Sequence, residues 1–87
     1  MGLPPAKLQG WTTHAREEFA EILGRSPSDQ QMRELLQLWR RHSGQAFLNR
    51  HGRWQVKVFS KSLNRALWLI VGEHGGQWLL WTVFTVE

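Results

Sequence analysis

The chain has 87 residues, no cysteine and a formal net charge of +4. That length holds one small core, and the lack of thiols excludes disulfides, thiolate metal sites and a cysteine nucleophile. No run of about 18 uncharged apolar residues is present, nor the apolar stretch of a secretory signal near Met1. The expectation is therefore a soluble, cytoplasmic, single-domain protein with no membrane contact.

Residues 1–10, interrupted by Pro4, Pro5 and Gly10, read as an extended arm. Residues 11–43 read as a helical hairpin. Thr12 or Thr13 can cap the first helix, with Glu17 and Glu18 near its positive end. Ala15, Phe19, Ile22 and Leu23 share one face at helical spacing, and Gly24 ends the helix. The second helix restarts at Ser26-Pro27-Ser28-Asp29: a Ser cap, Pro at the first helical position and an acid at the third. Met32, Leu35, Leu36 and Trp39 form its apolar stripe. Arg40, Arg41 and His42 complement the dipole in the last turn, and Gly44 closes the helix.

From Gln45 the pattern changes to period two, and residues 45–87 read as an antiparallel sheet. Ala46 to Leu48 is a short edge strand, and Asn49-Arg50-His51-Gly52 is a turn. Arg53 to Phe59 is a strand, with Trp54, Val56 and Val58 on one face and Arg53, Gln55 and Lys57 on the other. Ser60 to Asn64 is a loop, Arg65 to Val71 a strand, Glu73 to Gly76 a hairpin loop and Gln77 to Val86 a final strand. The final strand is apolar on both faces, which calls for cover on both sides. Two helices cover only one face of such a sheet. The basic loop, the arm or a partner chain must supply the rest, including a second copy pairing through the C-terminal strand. The fold class is α+β: two N-terminal helices packed on a small antiparallel sheet of three to four strands.

Charge is distributed unevenly. Between Glu34 and Glu73 there is no acid, and seven of the eleven Lys and Arg fall there. Such a basic field suits RNA or DNA. Arg40, Arg41, Arg50 and Lys61 are the candidate nucleic-acid contacts. The sharper candidate is the polar side of the first long strand, where a regular strand running from the turn aligns His51, Arg53, Gln55 and Lys57. Arg65 opens the next strand and approaches the Lys57 end. Cations there can grip phosphates and stabilise the charge that builds when a 2′-hydroxyl attacks its own phosphodiester. His51 or His74 supplies proton transfer. The candidate catalytic set is Arg53, Lys57, Arg65 and His51. The four histidines, at positions 14, 42, 51 and 74, lack ligand spacing, so no metal is expected. No cofactor is expected either, because Gly75-Gly76 is a hairpin rather than a phosphate cradle before a helix.

Three stretches carry a resemblance to the RelE/ParE superfamily of small toxins, closest to its HigB-like, phage-associated branch. Trp11-Thr-Thr-His-Ala15 is similar to the family's helix opening. Gly44 to Val58, read G-x-x-x-L-x-x-x-G-R-W-Q-V-K-V, resembles the segment that ends in the family's Glu-Leu-Arg motif. Arg65-Ala-Leu-Trp-Leu-Ile70 and Leu79-Leu-Trp-Thr-Val-Phe84 resemble its next two strands. The resemblance implies a RelE-like fold, endoribonuclease activity on mRNA, possible dependence on the ribosome, and an antitoxin partner. It places Lys57 where the family has an Arg and matches Arg65 to the Arg of the following strand, residues that bind and polarise mRNA. The chain departs from the family at Gln55, which replaces the motif's Glu, and after Phe84, where a Lys-rich tail is replaced by Thr85-Val86-Glu87. The alternative reading is a non-catalytic phage or mobile-element protein that binds nucleic acid or inhibits a host protein.

Overall fold

The computed structural model describes residues 2–86. The α+β class holds, with a sheet larger than expected and mixed rather than purely antiparallel. In chain order the elements are β1 (Gly10–Trp11), α1 (Thr13–Leu23), α2 (Asp29–His42), β2 (Phe47–Leu48), β3 (Trp54–Ser60), β4 (Arg65–His74) and β5 (Gln77–Thr85). The sheet order is β1-β5-β4-β3-β2; β1 runs parallel to β5, and every other pair is antiparallel. The end of the arm therefore becomes a strand, and the helices follow it instead of leading the fold. The arm is anchored at β5 by two bonds: Gln9 N–H donates to the Trp78 carbonyl, and Trp78 N–H donates to Gln9 Oε1. Leu8 is buried, and the Trp39 indole N–H donates to the Pro5 carbonyl.

Local chemistry sets the helix ends. Thr12 caps α1 by accepting from the Ala15 N–H, so Trp11 lies in β1 and not in the helix. The second helix starts two residues later than Pro27 suggested. Ser28 accepts from the Gln31 N–H while Gln31 Oε1 accepts from the Ser28 N–H, a reciprocal capping box that outcompetes a start at Ser26. Its C-terminus also differs from expectation: Ser43 is the cap, and a single 3-10 turn, Ser43–Gln45, carries the chain through Gly44.

Both helices lie on one side of the sheet, α1 over β5 and α2 over β3. Ala15, Phe19, Met32, Leu35 and Trp39 meet Val56, Val58, Leu67, Leu69, Val71, Leu80 and Val83 in one buried cluster. The radius of gyration, 11.9 Å, fits a closely packed chain of this length, for which about 12 Å is usual. The β4–β5 connection narrows to Gly75-Gly76, both with positive φ (59° and 81°), the geometry of the favoured two-residue hairpin turn. Glu73 and His74 are strand residues as a result. Among the described residues no helix is long and apolar enough to cross a membrane.

Candidate nucleic-acid interface

The helices leave the opposite sheet face bare. Strand alternation assigns its residues. On β3, Trp54, Val56 and Val58 turn to the core, so Lys57 and Phe59 turn away, as does Arg53 immediately before the strand. On β4, Leu67, Leu69 and Val71 are fully buried, so Trp68, Ile70 and Gly72 lie on the open side. Phe47, opposite Gln55, joins from β2. The expected arm cover is absent there, because Leu8 and Pro5 pack on the helix side.

β5 reaches this face through an irregularity. Ile70 pairs with Thr82 but Val71 pairs with Leu80, so Trp81 is an extra, bulged residue. The bulge lets both Leu80 and Val83 enter the core, which strict alternation forbids for residues three apart. It also sends Trp81 to the open face. Bulging turns the Trp81 carbonyl towards the outer edge, where Thr12 Oγ1 donates to it at 3.1 Å.

The resulting surface combines rings and cations. The Arg53 guanidinium lies over the Trp81 ring, 4.7 Å from its centroid. Both pack across Gly72; a Cβ added there would lie 3.2 Å from Arg53 Nε and 3.2 Å from Trp81 Cε3. His74 stands 6.2 Å from the same ring. Further along, Phe47 meets Trp68 edge-on at 6.1 Å. The register puts Lys57, Trp68 and Phe84 in one row across three strands. Phe47 is 48% exposed, Phe59 52% and Phe84 39%, so these rings are available to a ligand rather than absorbed by the fold.

No acid shares this face among the described residues. Glu17, Glu18 and Glu21 ride on α1, Asp29 and Glu34 on α2, and Glu73 pairs with Trp78 on the helix side. The sheet thus keeps every described acid on the helical side, where Arg16, Arg33, Arg40 and Arg41 accompany them, and leaves cations and rings on the open face.

The expected catalytic set is only partly assembled. Arg53 and Lys57 share the open face. His51 does not align with them, since β3 starts at Trp54 and His51 belongs to the turn, its N–H donating to Asn49 Oδ1. Arg65 pairs with Ser60, whose side chain is buried under the helices. Arg65 therefore sits on the opposite face and lines a shallow recess with Glu18 and Glu21. The histidine that accompanies Arg53 is His74. Of the expected nucleic-acid contacts, Arg50 is exposed in the turn at the rim and Arg40 is exposed on α2. Arg41 and Lys61 lie together in a groove beside β3. Sequence reading missed Trp81 and Trp68 as surface residues. The available signal was the two-sided apolarity of β5, which marks a face without cover.

No protein-family model matches the chain, and no curated protein or solved structure matches it.

Proposed function

We propose that the open sheet face binds single-stranded nucleic acid, with Trp68, Trp81 and the neighbouring phenylalanines stacking on bases and Arg53 and Lys57 holding phosphates. One observation carries the reading: aromatic rings and cations share the sheet face that no helix covers, and no acid stands among them. Rings supply sequence-tolerant stacking worth about 1–3 kcal/mol per base, and the cations supply a salt-dependent attraction. Double-stranded nucleic acid hides its base faces and gains only the charge term.

The test is titration of labelled single-stranded and duplex oligonucleotides over a range of salt. Binding should favour single strands, quench tryptophan emission and weaken as salt rises. Removing Lys57 should lower the slope of log K against log salt by about 0.7, the value for one phosphate contact on a single strand. Single-strand affinity that is absent, or unchanged by Trp68→Ala and Trp81→Ala, would rule the reading out.

A ribonuclease of the RelE/HigB type is the second reading. It is favoured by His74 at the end of β4 and Arg53 just before β3 converging on Trp81. An imidazole can move the 2′-hydroxyl or leaving-group proton, while a guanidinium stabilises phosphorane-like charge. Under this reading His74 replaces His51, and an antitoxin is the natural partner. Incubation with RNA, free and on ribosomes, separates the two. Cleavage lost in His74→Ala with RNA binding retained supports the nuclease; intact RNA under both conditions eliminates it and leaves the binding reading standing.

A further inference from the structure

The second long feature of the surface is the outer edge of β3. β2 pairs with β3 only at Trp54 and Gln55. The direction of the peptide groups beyond that point follows from Asn49. Its N–H donates to the Arg53 carbonyl at 2.8 Å, and its Oδ1 accepts from the Arg53 N–H at 3.1 Å. Both polar groups of Arg53 therefore face the β2 side. Strand alternation repeats that direction at Gln55, Lys57 and Phe59. Gln55 is matched by Phe47, whereas Lys57 and Phe59 present their N–H and C=O groups where β2 has already ended.

These edge groups open into a groove of about 660 Å³ between β3, α2 and the turn after Ser60. Lys57 and Phe59 line it even though their side chains belong to the other face, which agrees with exposed backbone. Leu38 and Leu63 contribute apolar walls. Arg41 and Lys61 bring two positive charges, and Glu34 is the one acid. The opposite edge of the sheet is closed. There β1 covers Leu79 and Leu80, Thr12 bonds the Trp81 carbonyl, and Glu18 accepts the Val83 N–H at 3.2 Å. An unclosed edge on a sheet whose other edge is carefully occupied is a template for one more strand.

We propose that this groove binds an extended peptide segment of a partner protein, one that alternates acidic and apolar residues and adds a strand to β3 beside Lys57 and Phe59. Backbone bonding supplies the alignment. Alternate side chains reach the apolar wall and the cations Arg41 and Lys61, whose excess over Glu34 selects the acidic partner. The site uses the edge backbone of β3, where the open face uses the side chains of the same residues, and it does not rest on the function assigned to that face.

The experiment is selection of a displayed random-peptide library against the full-length chain, followed by NMR of the winning peptide on the labelled protein. Winners should alternate acidic and apolar residues and slow hydrogen exchange at the Lys57 and Phe59 amides. N-methylation of the peptide's β3-facing amides should weaken binding about tenfold or more, since each methyl removes a hydrogen bond and blocks approach. Phe59→Pro, which deletes an edge donor, should do the same. The paired charge reversals Arg41→Glu and Lys61→Glu, at exposed positions, keep the test informative if the proline variant does not fold; they should also weaken binding about tenfold. The proposal is overturned by selection without enrichment, by winners lacking the alternation, by a bound peptide that leaves both amides exchanging as before, or by single-stranded RNA protecting those amides in place of the peptide.

Discussion

The helix-covered face and the open face of the sheet are built from the same three strands, yet they differ in residue class at almost every alternate position. Val56, Val58, Leu67, Leu69, Val71, Leu80 and Val83 point inward and are essentially buried. Lys57, Phe59, Trp68, Trp81 and Phe84 point outward, and rings there remain accessible. Branched aliphatics interdigitate into dense packing with no polar atoms to satisfy. Large rings expose flat area that a ligand can cover while costing little rotamer entropy. A sheet needing only stability would place polar residues outside. Exposed rings gathered on the outer face are instead what supports the binding proposed for it, while the other face holds the fold.

That division can be tested by substitutions on each side. The largest effect is expected from Leu69→Ala, which opens a cavity under both helices and should cost about 2–5 kcal/mol of stability. Urea unfolding measures it; a loss below about 1 kcal/mol would mean that the helix side is not the core. Trp68→Ala, one residue away on the other face, should cost about 1–3 kcal/mol of single-strand binding. Its shift in unfolding midpoint should be much smaller than that of Leu69→Ala. If it unfolds the chain instead, the two faces are not separable.

Ser28→Ala removes half of the α2 capping box and should lower stability by about 1 kcal/mol with no change in oligonucleotide affinity, because it acts only through the helical layer. Gly72→Ala tests the open face with the smallest change. The added methyl has to displace Arg53 or Trp81, loosening a contact worth about 0.5–1 kcal/mol. Tryptophan emission and oligonucleotide affinity should both change while the helical circular dichroism stays constant.

The helices were readable because α-helix ends and stripes are local. Ala15, Phe19, Met32, Leu35 and Trp39 announce their burial by spacing alone, and they are buried. Where local signals competed, the reading slipped by a residue or two: Ser26 and Ser28 both look like caps, and only Gln31 decides between them. The alternation of β3 was also legible, including Trp54 towards the core. Arg53 and Lys57 were placed correctly on one surface for that reason. His51 was misplaced because the Asn49 side chain holds the turn in a conformation that breaks the alternation before Arg53.

By itself, then, the sequence determined the α+β class, the two helical stripes, the hairpin at Gly75-Gly76 and a basic segment free of acids, all properties of neighbours along the chain. Tertiary structure alone decided three things. It brought the arm back as a parallel strand on β5, which depends on contacts between residues 10–11 and 79–80. It bulged β5 at Trp81, because the helices demand both Leu80 and Val83. It also separated Arg65 from Lys57 by pairing Arg65 with Ser60. Each outcome turns on register, and a shift of one residue exchanges the faces of a strand. Register is set by the packing of distant segments, which composition and spacing do not encode.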